Sequence, residues 1–491
     1  MPTPDSKPTR FNPLLTVLLI IAASRLLTMV FIPFTEPTEP RYAETARMMA
    51  ESGDWITPWF DYGVPFWGKP PLSFWLQALS FRLLGVSEFS ARFPAWIATV
   101  GSGMLVYALG GVLANRRTAF WSTLIFATMA VTYVAAGAVM TDAFLVFGTT
   151  LSLVGIAMVA NGLTAGWRWA FFIGLAIGLL AKGPLAPVLV GGTLVLWLLW
   201  SAQARRVIRT LPWFRGIVIT GALSIPWYIA AELKTPGFLE YFIVGEHFLR
   251  FVDHTWSGDR YGSAHHQPYG TIWWYWLLAS FPWGFMVMAL TARRLTLRLR
   301  GKLGQLLPDW TDSEKLLIAA ALLPGLFFTF SGNTLWTYPF PGIPPLALLL
   351  ALSLSRNRDA ALLWAPLNAT LLVVVPAILT LAGGFFSIQH DRLDTEKYLV
   401  GVYQSARKPG DSRLQFIDDV PFSARYYNQG QVDRLSMPEA VEQLNELTSS
   451  ASFLALPDDQ LPQLLSASKA TCEPLTRSKE YTLLRCHNKS G

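Results

Sequence analysis

Charged residues are scarce in this chain, and their scarcity excludes an ordinary soluble globular protein. Only 14% of the 491 residues are Asp, Glu, Lys or Arg, whereas 52% are hydrophobic and the mean hydropathy is +0.36. Soluble globular proteins carry about 25% charged residues. Apolar runs of about 17–25 residues recur along the chain, and such runs are typical of transmembrane helices. The sequence therefore predicts a polytopic α-helical membrane protein.

Two further signals are missing. The first apolar run, residues 13–34, is longer than the core of a secretory signal peptide and lacks a clean small-residue cleavage site, so we interpret it as the first span. The net charge is +7, but the basic residues gather in short loops between apolar runs and form no basic stripe on a soluble face. This distribution argues against a nucleic-acid partner and follows the positive-inside rule of membrane proteins.

The apolar runs also predict a topology with about 11 spans. The predicted spans lie near residues 12–34, 91–113, 119–138, 142–162, 168–181, 185–202, 212–231, 271–291, 315–331, 338–354 and 361–383. The loop bases that indicate the cytoplasmic side are Lys7, Arg10, Arg116, Arg117, Arg205, Arg206, Arg209, the run from Arg293 to Lys302, Arg356 and Arg358. The opposite, periplasmic side then receives the loops 35–90 and 232–270 and the segment from residue 388 onward.

The C-terminal segment has a different character. Stretches such as "RLQFIDDV", "ASFLAL" and "YTLLRC" favour strands, whereas "MPEAVEQLNEL" and "DDQLPQLLSAS" favour helices. We therefore expect a transmembrane domain over residues 1–387 and a small periplasmic α/β domain over residues 388–491. The only cysteines, Cys472 and Cys486, lie in the second domain. They could form a disulfide on an oxidising side of the membrane or stay as two buried thiols.

The first long loop contains an unusual cluster of charge. Its opening, "EPTEPRYAETARMMAESGDW", has helix signals in Thr38 as a cap and Pro40 in the first turn. Its second part, "GVPFWGKPPLSFWLQALSF", places Lys69 just before a helix start, where an anion would also be favoured. Charges of both signs against an apolar wall suit a phosphate group that needs cations and a hydroxyl that needs a base. The alternative is that these are solvated charges at a membrane surface.

Several motifs resemble one family in order and spacing. They are "EPRYAETARMMAESGDWITP", "GKPPLSFWLQALSFRLLGVSEFSARFPA", "MTDAFLVF", "GLAIGLLAKGP", "IPWYIAAELKTPGFLEYFIVGEHFLRF", "HHQPYGTIWWY" and "TYPFPGIPPLALLL". Together they resemble the bacterial polyprenyl-phosphate-sugar-dependent glycosyltransferases of the GT-C class. This class includes the transferases that add 4-amino-4-deoxy-L-arabinose to lipid A and, more distantly, the protein O-mannosyltransferases. The resemblance covers most of residues 12–355.

The resemblance implies an activity, its partners and a location. It implies an inverting transfer of a sugar from a polyprenyl (undecaprenyl) phosphate to an envelope acceptor such as lipid A or lipopolysaccharide, at the periplasmic face of the bacterial inner membrane. The expected partners are this donor, a lipid or glycan acceptor, and membrane lipid. The absence of a Gly-rich phosphate loop or Rossmann fingerprint agrees with a donor that carries no nucleotide. The alternatives are a flippase of a lipid-linked sugar, a protein O-glycosyltransferase of the same class and a membrane scaffold.

The resemblance also implies roles for particular residues. The donor phosphate is expected to bind Lys69 and Arg250, with Tyr338, Arg41 and Lys182 as further candidates. The residues expected to contact other parts of the substrates are Tyr42, Glu44, Glu246, His247 and His266.

The chain departs from the family's pattern at three places. Thr38 stands where relatives carry the proposed catalytic aspartate, so the candidate bases are, in order, Glu39, Asp142 and Glu36. Asn333 and Thr334 stand where relatives often carry lysines, which argues against assigning aminoarabinose as the sugar.

The third departure concerns metal. Gly68 replaces an acidic residue that precedes the lysine of the "KPP" motif in relatives, and His247 alone makes no metal site. We interpret His254, His265 and His266 as structural or substrate-contacting residues. No metal and no other cofactor is therefore predicted, with a divalent ion as the minor alternative.

Overall fold

The computed structural model describes residues 12–164, 166–253, 256–262, 265–301, 309–356, 365–447 and 450–488. The described residues form a mostly helical protein with a small sheet region near the C terminus. Four predicted positions, Lys7, Arg10, Lys302 and Arg358, lie outside the described residues, as does His254. The prediction of a mostly helical membrane protein with a small α/β part is confirmed at this level.

The helices follow one another in this order. They are Pro13–Phe31, Thr38–Ser52, Leu72–Leu84, Glu88–Leu113, Arg116–Thr128, Ala130–Ala135, Asp142–Ala160, Trp167–Lys182, Leu185–Trp200, Ala202–Thr210, Trp213–Lys234, the π-helix Glu240–Leu249, Arg250–Val252, Thr271–Ser280, Trp283–Leu299, Asp312–Phe328, the 3-10 turn Phe340–Gly342, Ile343–Arg356, Ala365–Ile388, the 3-10 turn His390–Arg392, Lys397–Ala406, Phe422–Tyr427, Met437–Asn445 and Leu461–Ala467. Polar residues cap several of these helices. Asn12, Ser87, Asn115 and Thr311 each accept a hydrogen bond from a main-chain N–H of the first turn.

Five of the described helices are long and apolar enough to cross a membrane. They are Pro13–Phe31, Glu88–Leu113, Asp142–Ala160, Trp213–Lys234 and Asn368–Ile388. The pair Thr271–Ser280 and Trp283–Leu299 passes the same test together but is bent by 110° at its break. Other predicted spans fall on shorter apolar helices, such as Leu185–Trp200. The count of about 11 spans and the periplasmic orientation therefore stay predictions.

Helix Asp142–Ala160 lies at the centre of the bundle and packs closely against helix Trp167–Lys182. Glycines permit this close approach. A Cβ at Gly148 would stand 2.7 Å from the carbonyl oxygen of Gly174, a distance that real Cβ atoms do not reach. The two helices are antiparallel neighbours, so the first residue of one, Asp142, meets the last residue of the other, Lys182.

The first long loop is more buried than its charge suggests. Helix Thr38–Ser52 has Ala43, Ala46 and Met49 fully buried, and it packs against helix Leu72–Leu84 and the C-terminal helix Phe422–Tyr427. A short hairpin of strands Trp59–Asp61 (β1) and Val64–Pro65 (β2) completes this layer. The helix is therefore covered by protein on several sides.

The C-terminal sheet contains five strands in the order β4-β3-β5-β7-β6. They are Leu414–Ile417 (β3), Val432–Leu435 (β4), Ser452–Pro457 (β5), Thr471–Arg477 (β6) and Tyr481–His487 (β7). The first three strands pair in parallel, and β7 runs antiparallel to both β5 and β6. The sequence motifs predicted β3, β5 and β7, which are the most buried strands, and missed the more exposed β4 and β6. Cys472 and Cys486 face each other across β6 and β7 and form a disulfide.

The C-terminal part packs directly on the first long loop. Lys397 forms an ion pair with Glu88, and Arg425 forms one with Asp61. The hydroxyl of Tyr427 accepts a hydrogen bond from the main-chain N–H of Phe34 at 2.8 Å. The α/β part is therefore anchored to the segment that carries six of the thirteen candidate site residues.

A buried carboxyl group at this contact predicts pH-dependent stability. Glu396 is 2% exposed and accepts one hydrogen bond, from Ser478 Oγ at 2.9 Å. Burial, together with the nearby Glu36 and Asp394, raises the pKa of Glu396 to about 8. The folded chain therefore keeps this proton to a higher pH than the unfolded chain, so its contribution to stability is lost as the pH rises toward about 8.

We expect the unfolding temperature of the full chain in detergent to fall between about pH 5 and about pH 8, and the Glu396→Gln variant to fall less steeply. The matched control is Glu446→Gln, which changes an exposed carboxylate of the same α/β part that does not act on Glu396 and should keep the wild-type slope. Equal slopes for Glu396→Gln and the wild type would contradict the assignment.

Candidate active site

A cavity of about 660 Å³ opens where the two long loops meet the ends of the central helices. Most of the predicted site residues line it. These are Glu39, Arg41, Tyr42, Lys69, Asp142, Lys182, Glu246, His247, Arg250 and Tyr338.

Three predicted residues lie elsewhere, because each is held by a different partner. Glu36 accepts a hydrogen bond from the main-chain N–H of Ser423 at the contact with the C-terminal part. Glu44 forms two hydrogen bonds with Arg47, both 2.7 Å, and is 4% exposed. His266 is exposed and pairs through its main chain with Asn333. The geometry does not support a direct role of these three residues in the cavity.

Lys69 and Arg250 are brought together by one carboxylate. Glu246 Oε2 is 2.9 Å from Arg250 Nη1 and 3.7 Å from Lys69 Nζ. Glu246 lies in the π-helix Glu240–Leu249, and Arg250 follows it by four residues, so both side chains lie on the same face. Burial alone would raise the pKa of Glu246, but the charges of Lys69 and Arg250 hold it below its ordinary value. Two cations are therefore arranged around a single anionic oxygen atom.

Asp142 and Lys182 form a second ion pair, with 2.7 Å between Oδ1 and Nζ. The acid begins one helix and the base ends another, and both positions are favoured by the helix dipoles. The ammonium group of Lys182 also lies 5.3 Å from the centre of the Tyr338 ring. The second oxygen of Asp142, Oδ2, has no hydrogen-bond partner among the described residues. Asp142 is thus an ion-paired carboxylate with one oxygen available to the cavity.

Glu39 is held much more tightly than Asp142. Its two oxygens accept hydrogen bonds from Arg92 at 2.9 and 2.7 Å, and Oε1 also accepts one from the N–H of Val139 at 2.9 Å. Arg92 is 2% exposed and donates further hydrogen bonds to the carbonyls of Met29 and Ile32. No sequence motif singled out Arg92, whose only signal is that it is a lone arginine inside the apolar run of helix Glu88–Leu113.

Arg41 forms no ion pair with any carboxylate that the structure describes. Its guanidinium group donates to the carbonyl of Tyr261 and lies over the rings of Tyr42, at 5.2 Å, and Phe422, at 5.7 Å. Tyr42 itself packs edge-on against Phe66. Arg41 therefore brings an uncompensated positive charge to the cavity wall.

His247 links the second long loop to the helix bundle. Its Nδ1 lies 2.7 Å from the carbonyl oxygen of Phe242, and its Nε2 lies 3.0 Å from that of Lys182. Burial lowers the pKa of His247 and outweighs the two carbonyl contacts, which would raise it. Both ring nitrogens are thus engaged by the main chain. Among the described residues no cluster of three His, Cys, Asp or Glu side chains is close enough to hold a metal ion.

Asp259 is a cavity residue that no sequence motif indicated. It lies in an irregular stretch of the second long loop, and its Oδ1 is 3.3 Å from Arg250 Nη1. Asn333, which we noted only as a departure from the family, also lines the cavity, and its Nδ2 donates to the carbonyl of Arg250 at 3.0 Å. Both positions depend on how the loops fold over Arg250, so their local sequence gives no direct signal.

The family model described as dolichyl-phosphate-mannose-protein mannosyltransferase matches residues 14–242. The undecaprenyl phosphate-alpha-4-amino-4-deoxy-L-arabinose arabinosyl transferase of Pectobacterium carotovorum subsp. carotovorum is 30% identical over 361 residues, covering 70% of this chain and 59% of that protein. The enzyme of the same description from Aeromonas hydrophila subsp. hydrophila is 28% identical over 333 residues, covering 65% of this chain and 56% of that protein. The chain thus spans a little over half the length of these curated relatives.

Solved structures extend the likeness to nearly the whole chain. The crystal structure of ArnT from Cupriavidus metallidurans bound to undecaprenyl phosphate has a TM-score of 0.75 at 16% identity, covering 96% of this chain and 97% of that one. The archaeal oligosaccharyltransferase AglB from Archaeoglobus fulgidus has a TM-score of 0.51 at 12% identity, with 93% and 70% coverage. The chain therefore has the ArnT fold, and the predicted resemblance to the GT-C glycosyltransferases is confirmed.

Proposed function

We propose that this chain, which resembles the ArnT-like GT-C glycosyltransferases in its motifs and fold, transfers a sugar from undecaprenyl phosphate to an envelope acceptor such as lipid A or lipopolysaccharide. The observation that carries the proposal is the placement of Lys69 and Arg250 around one anionic oxygen of Glu246 at the cavity. The names of the curated relatives and the undecaprenyl phosphate bound to ArnT support this donor class.

The cations act on the leaving group. When the bond between the anomeric carbon and the phosphate oxygen breaks, its electron pair goes to the phosphate, so negative charge develops there. Lys69 and Arg250 are held in place before the reaction and stabilise this charge, with Arg41 and the hydroxyl of Tyr338 as further contacts. Glu246 keeps the two cations positioned and shares them with the phosphate when the donor binds.

Asp142 is the better placed base. The acceptor hydroxyl attacks the anomeric carbon on the face opposite to the phosphate, which inverts the configuration, and its proton passes to the carboxylate of Asp142. Lys182 forms an ion pair with Oδ1 of this carboxylate, and Oδ2 is available to a hydroxyl. Glu39 is less suited, because Arg92 and Val139 already bind its oxygens. We therefore place Asp142 before Glu39 and assign Glu36 no catalytic role.

The membrane arrangement belongs to the same proposal. We place the cavity and the C-terminal part on the periplasmic side of the bacterial inner membrane, with about 11 spans and a domain boundary near residue 388. The five apolar helices and the ArnT fold support a multi-pass membrane protein.

A protein O-glycosyltransferase of the same class is the second candidate. The match of residues 14–242 to the protein mannosyltransferase model favours it, and the donor chemistry would be the same. Only the acceptor distinguishes the two, so both belong in one assay.

The test is a transfer assay with the purified full chain in liposomes. Undecaprenyl phosphate carrying a labelled pentose, hexose or amino sugar is the donor, and lipid A, lipopolysaccharide or envelope protein is the acceptor. We expect labelled acceptor and free undecaprenyl phosphate to form together, and Asp142→Asn to slow the transfer by at least about 10²-fold, because the base is lost.

Asp312→Asn is the matched control for this assay. Asp312 also begins a helix and pairs with a lysine, Lys315, but it lies outside the cavity. Movement of the labelled lipid across the bilayer without any transfer would instead support a flippase.

A further inference from the structure

Two buried acceptor atoms in the cavity wall have no hydrogen-bond donor among the residues that the structure describes. They are Oδ2 of Asp259 and Oδ1 of Asn333. The side chain of Asp259 is 10% exposed, and Asn333 is 5% exposed. Buried polar atoms in folded proteins are almost always paired, because burial removes their water. An unpaired acceptor in a cavity wall therefore indicates a partner that arrives from outside the chain.

Both acceptors are fixed to the same residue, Arg250. The other carboxylate oxygen of Asp259 lies 3.3 Å from Arg250 Nη1, and the Asn333 amide donates to the Arg250 carbonyl at 3.0 Å. Each side chain is therefore anchored through one polar atom and leaves the second unused. This arrangement sets two rigid acceptors beside one of the cations that we assign to the donor phosphate.

The free atoms of Asp259 and Asn333 are hydrogen-bond acceptors, so the matching ligand carries hydrogen-bond donors. Carboxylate and amide oxygens accept hydrogen bonds from hydroxyl or amino groups and repel a phosphate oxygen. Burial raises the pKa of Asp259, and the nearby Glu246 adds to this, which agrees with a carboxylate that lacks donors. A sugar attached to a phosphate that is bound at Arg250 would bring several hydroxyl groups close to Asp259 and Asn333.

We propose that Asp259 and Asn333 form the subsite that binds the hydroxyl or amino groups of the transferred sugar. The proposal rests on the proposed function, since it takes the phosphate to lie at Lys69 and Arg250. The cavity then has two parts. The cationic part binds the phosphate of any polyprenyl phosphate. The part with the hydrogen-bond-accepting side chains selects polyprenyl phosphates that carry a sugar.

The experiment compares two ligands on the purified full chain in detergent. One ligand is undecaprenyl phosphate without a sugar, and the other is a panel of undecaprenyl phosphates bearing a pentose, a hexose, an N-acetylhexosamine or 4-amino-4-deoxy-L-arabinose. We expect at least one member of the panel to bind the wild type about tenfold or more tightly than the bare phosphate, because hydrogen bonds to charged and buried groups contribute at this level.

The variants Asp259→Asn and Asn333→Ala should each reduce this preference by about tenfold, whereas the bare phosphate should bind at least as tightly as it binds the wild type. Retained binding of the bare phosphate also shows that the variants are folded. Glu240→Gln is the matched control, because Glu240 is an exposed acid on the same loop and outside the cavity. It should keep the wild-type preference.

The failure of the subsite and the failure of the proposed function give different results. The subsite is overturned if Asp259→Asn keeps the full preference, if it loses the bare phosphate as well, or if no sugar-bearing donor binds better than the bare phosphate. The proposed function is overturned if Lys69→Ala binds both ligands as the wild type does, because its cation would then contact no donor phosphate.

Discussion

Replacement of Lys69 by alanine is expected to slow sugar transfer by about 10²–10³-fold, because the leaving phosphate loses a cation that is already in position. Lys69 Nζ faces Glu246 at 3.7 Å and donates to the carbonyl of Gly68 at 2.6 Å, so its place is fixed before any donor binds. The effect should fall mainly on kcat, since the charge on the phosphate is larger in the transition state than in the bound donor. The measurement is the rate of labelled sugar transfer by the reconstituted chain at saturating donor.

Lys234→Ala provides the control for this substitution. Lys234 is also a paired lysine on the loop side of the protein, bound to Asp54 at 2.6 Å, but it lies outside the cavity. Its replacement should leave the transfer rate close to that of the wild type. If Lys69→Ala retained a rate within about threefold of the wild type, Lys69 would have no part in stabilising the leaving group.

Replacement of Arg92 by methionine is expected to lower the free energy of unfolding by about 3–5 kcal/mol. The variant leaves the carboxylate of Glu39, whose side chain is 19% exposed, with only the N–H of Val139, and it removes the donors for the carbonyls of Met29 and Ile32. An uncompensated buried charge is among the most destabilising outcomes of a single substitution. The measurement is unfolding of the full chain in detergent, followed by the loss of helical signal with denaturant.

Two comparisons separate this ion pair from a general effect of arginine. Arg82→Met removes an exposed arginine that donates to the carbonyl of Ala50, and it should cost less than about 1 kcal/mol. The double variant Arg92→Met with Glu39→Gln should recover part of the loss, because the uncompensated charge is gone. A double variant as unstable as Arg92→Met alone would show that the carbonyl contacts, and not Glu39, dominate.

The cavity keeps most of its charges in matched pairs before the donor arrives. Glu246 holds Lys69 and Arg250, and Asp142 holds Lys182. Buried ions are stable only when they are paired, so these carboxylates allow the cations to persist in the cavity wall. The donor phosphate can then share cations that are already placed.

The C-terminal part reaches this site through aromatic contacts. Phe422 lies over Arg41, which lines the cavity, and packs edge-on against Phe60. Arg425 and Lys397 add ion pairs with Asp61 and Glu88. The α/β part therefore packs against the wall of the cavity and supports it.

Of the thirteen site residues proposed from the sequence motifs and the family resemblance, ten line the cavity. The "EPRYAE", "GKPP" and "GEHFLR" stretches contain Arg41, Lys69, Glu246 and Arg250, and all four line the cavity. The predicted residues that lie outside the cavity have suitable chemistry but are bound by other partners. Glu44 pairs with Arg47 in its own helix, and Glu36 binds Ser423, which is far away along the chain. The i, i+3 spacing of Glu44 and Arg47 is a local signal for the first pair, whereas no local pattern indicates a partner as distant as Ser423.

By itself, the sequence determined the membrane class, the helical character and the set of charged residues at the loop openings, because composition and short-range periodicity reflect the solvent of each segment. Only the tertiary structure decided which charges neutralise each other. Arg92 forms an ion pair with Glu39, and Glu246 forms ion pairs with Lys69 and Arg250. One oxygen of Asp259 has no hydrogen-bond partner among the described residues. These pairings join segments that are distant along the chain, and the energy of a buried ion depends on the atoms within a few ångströms of it. The packing of helices and loops sets which atoms lie this close to each buried ion.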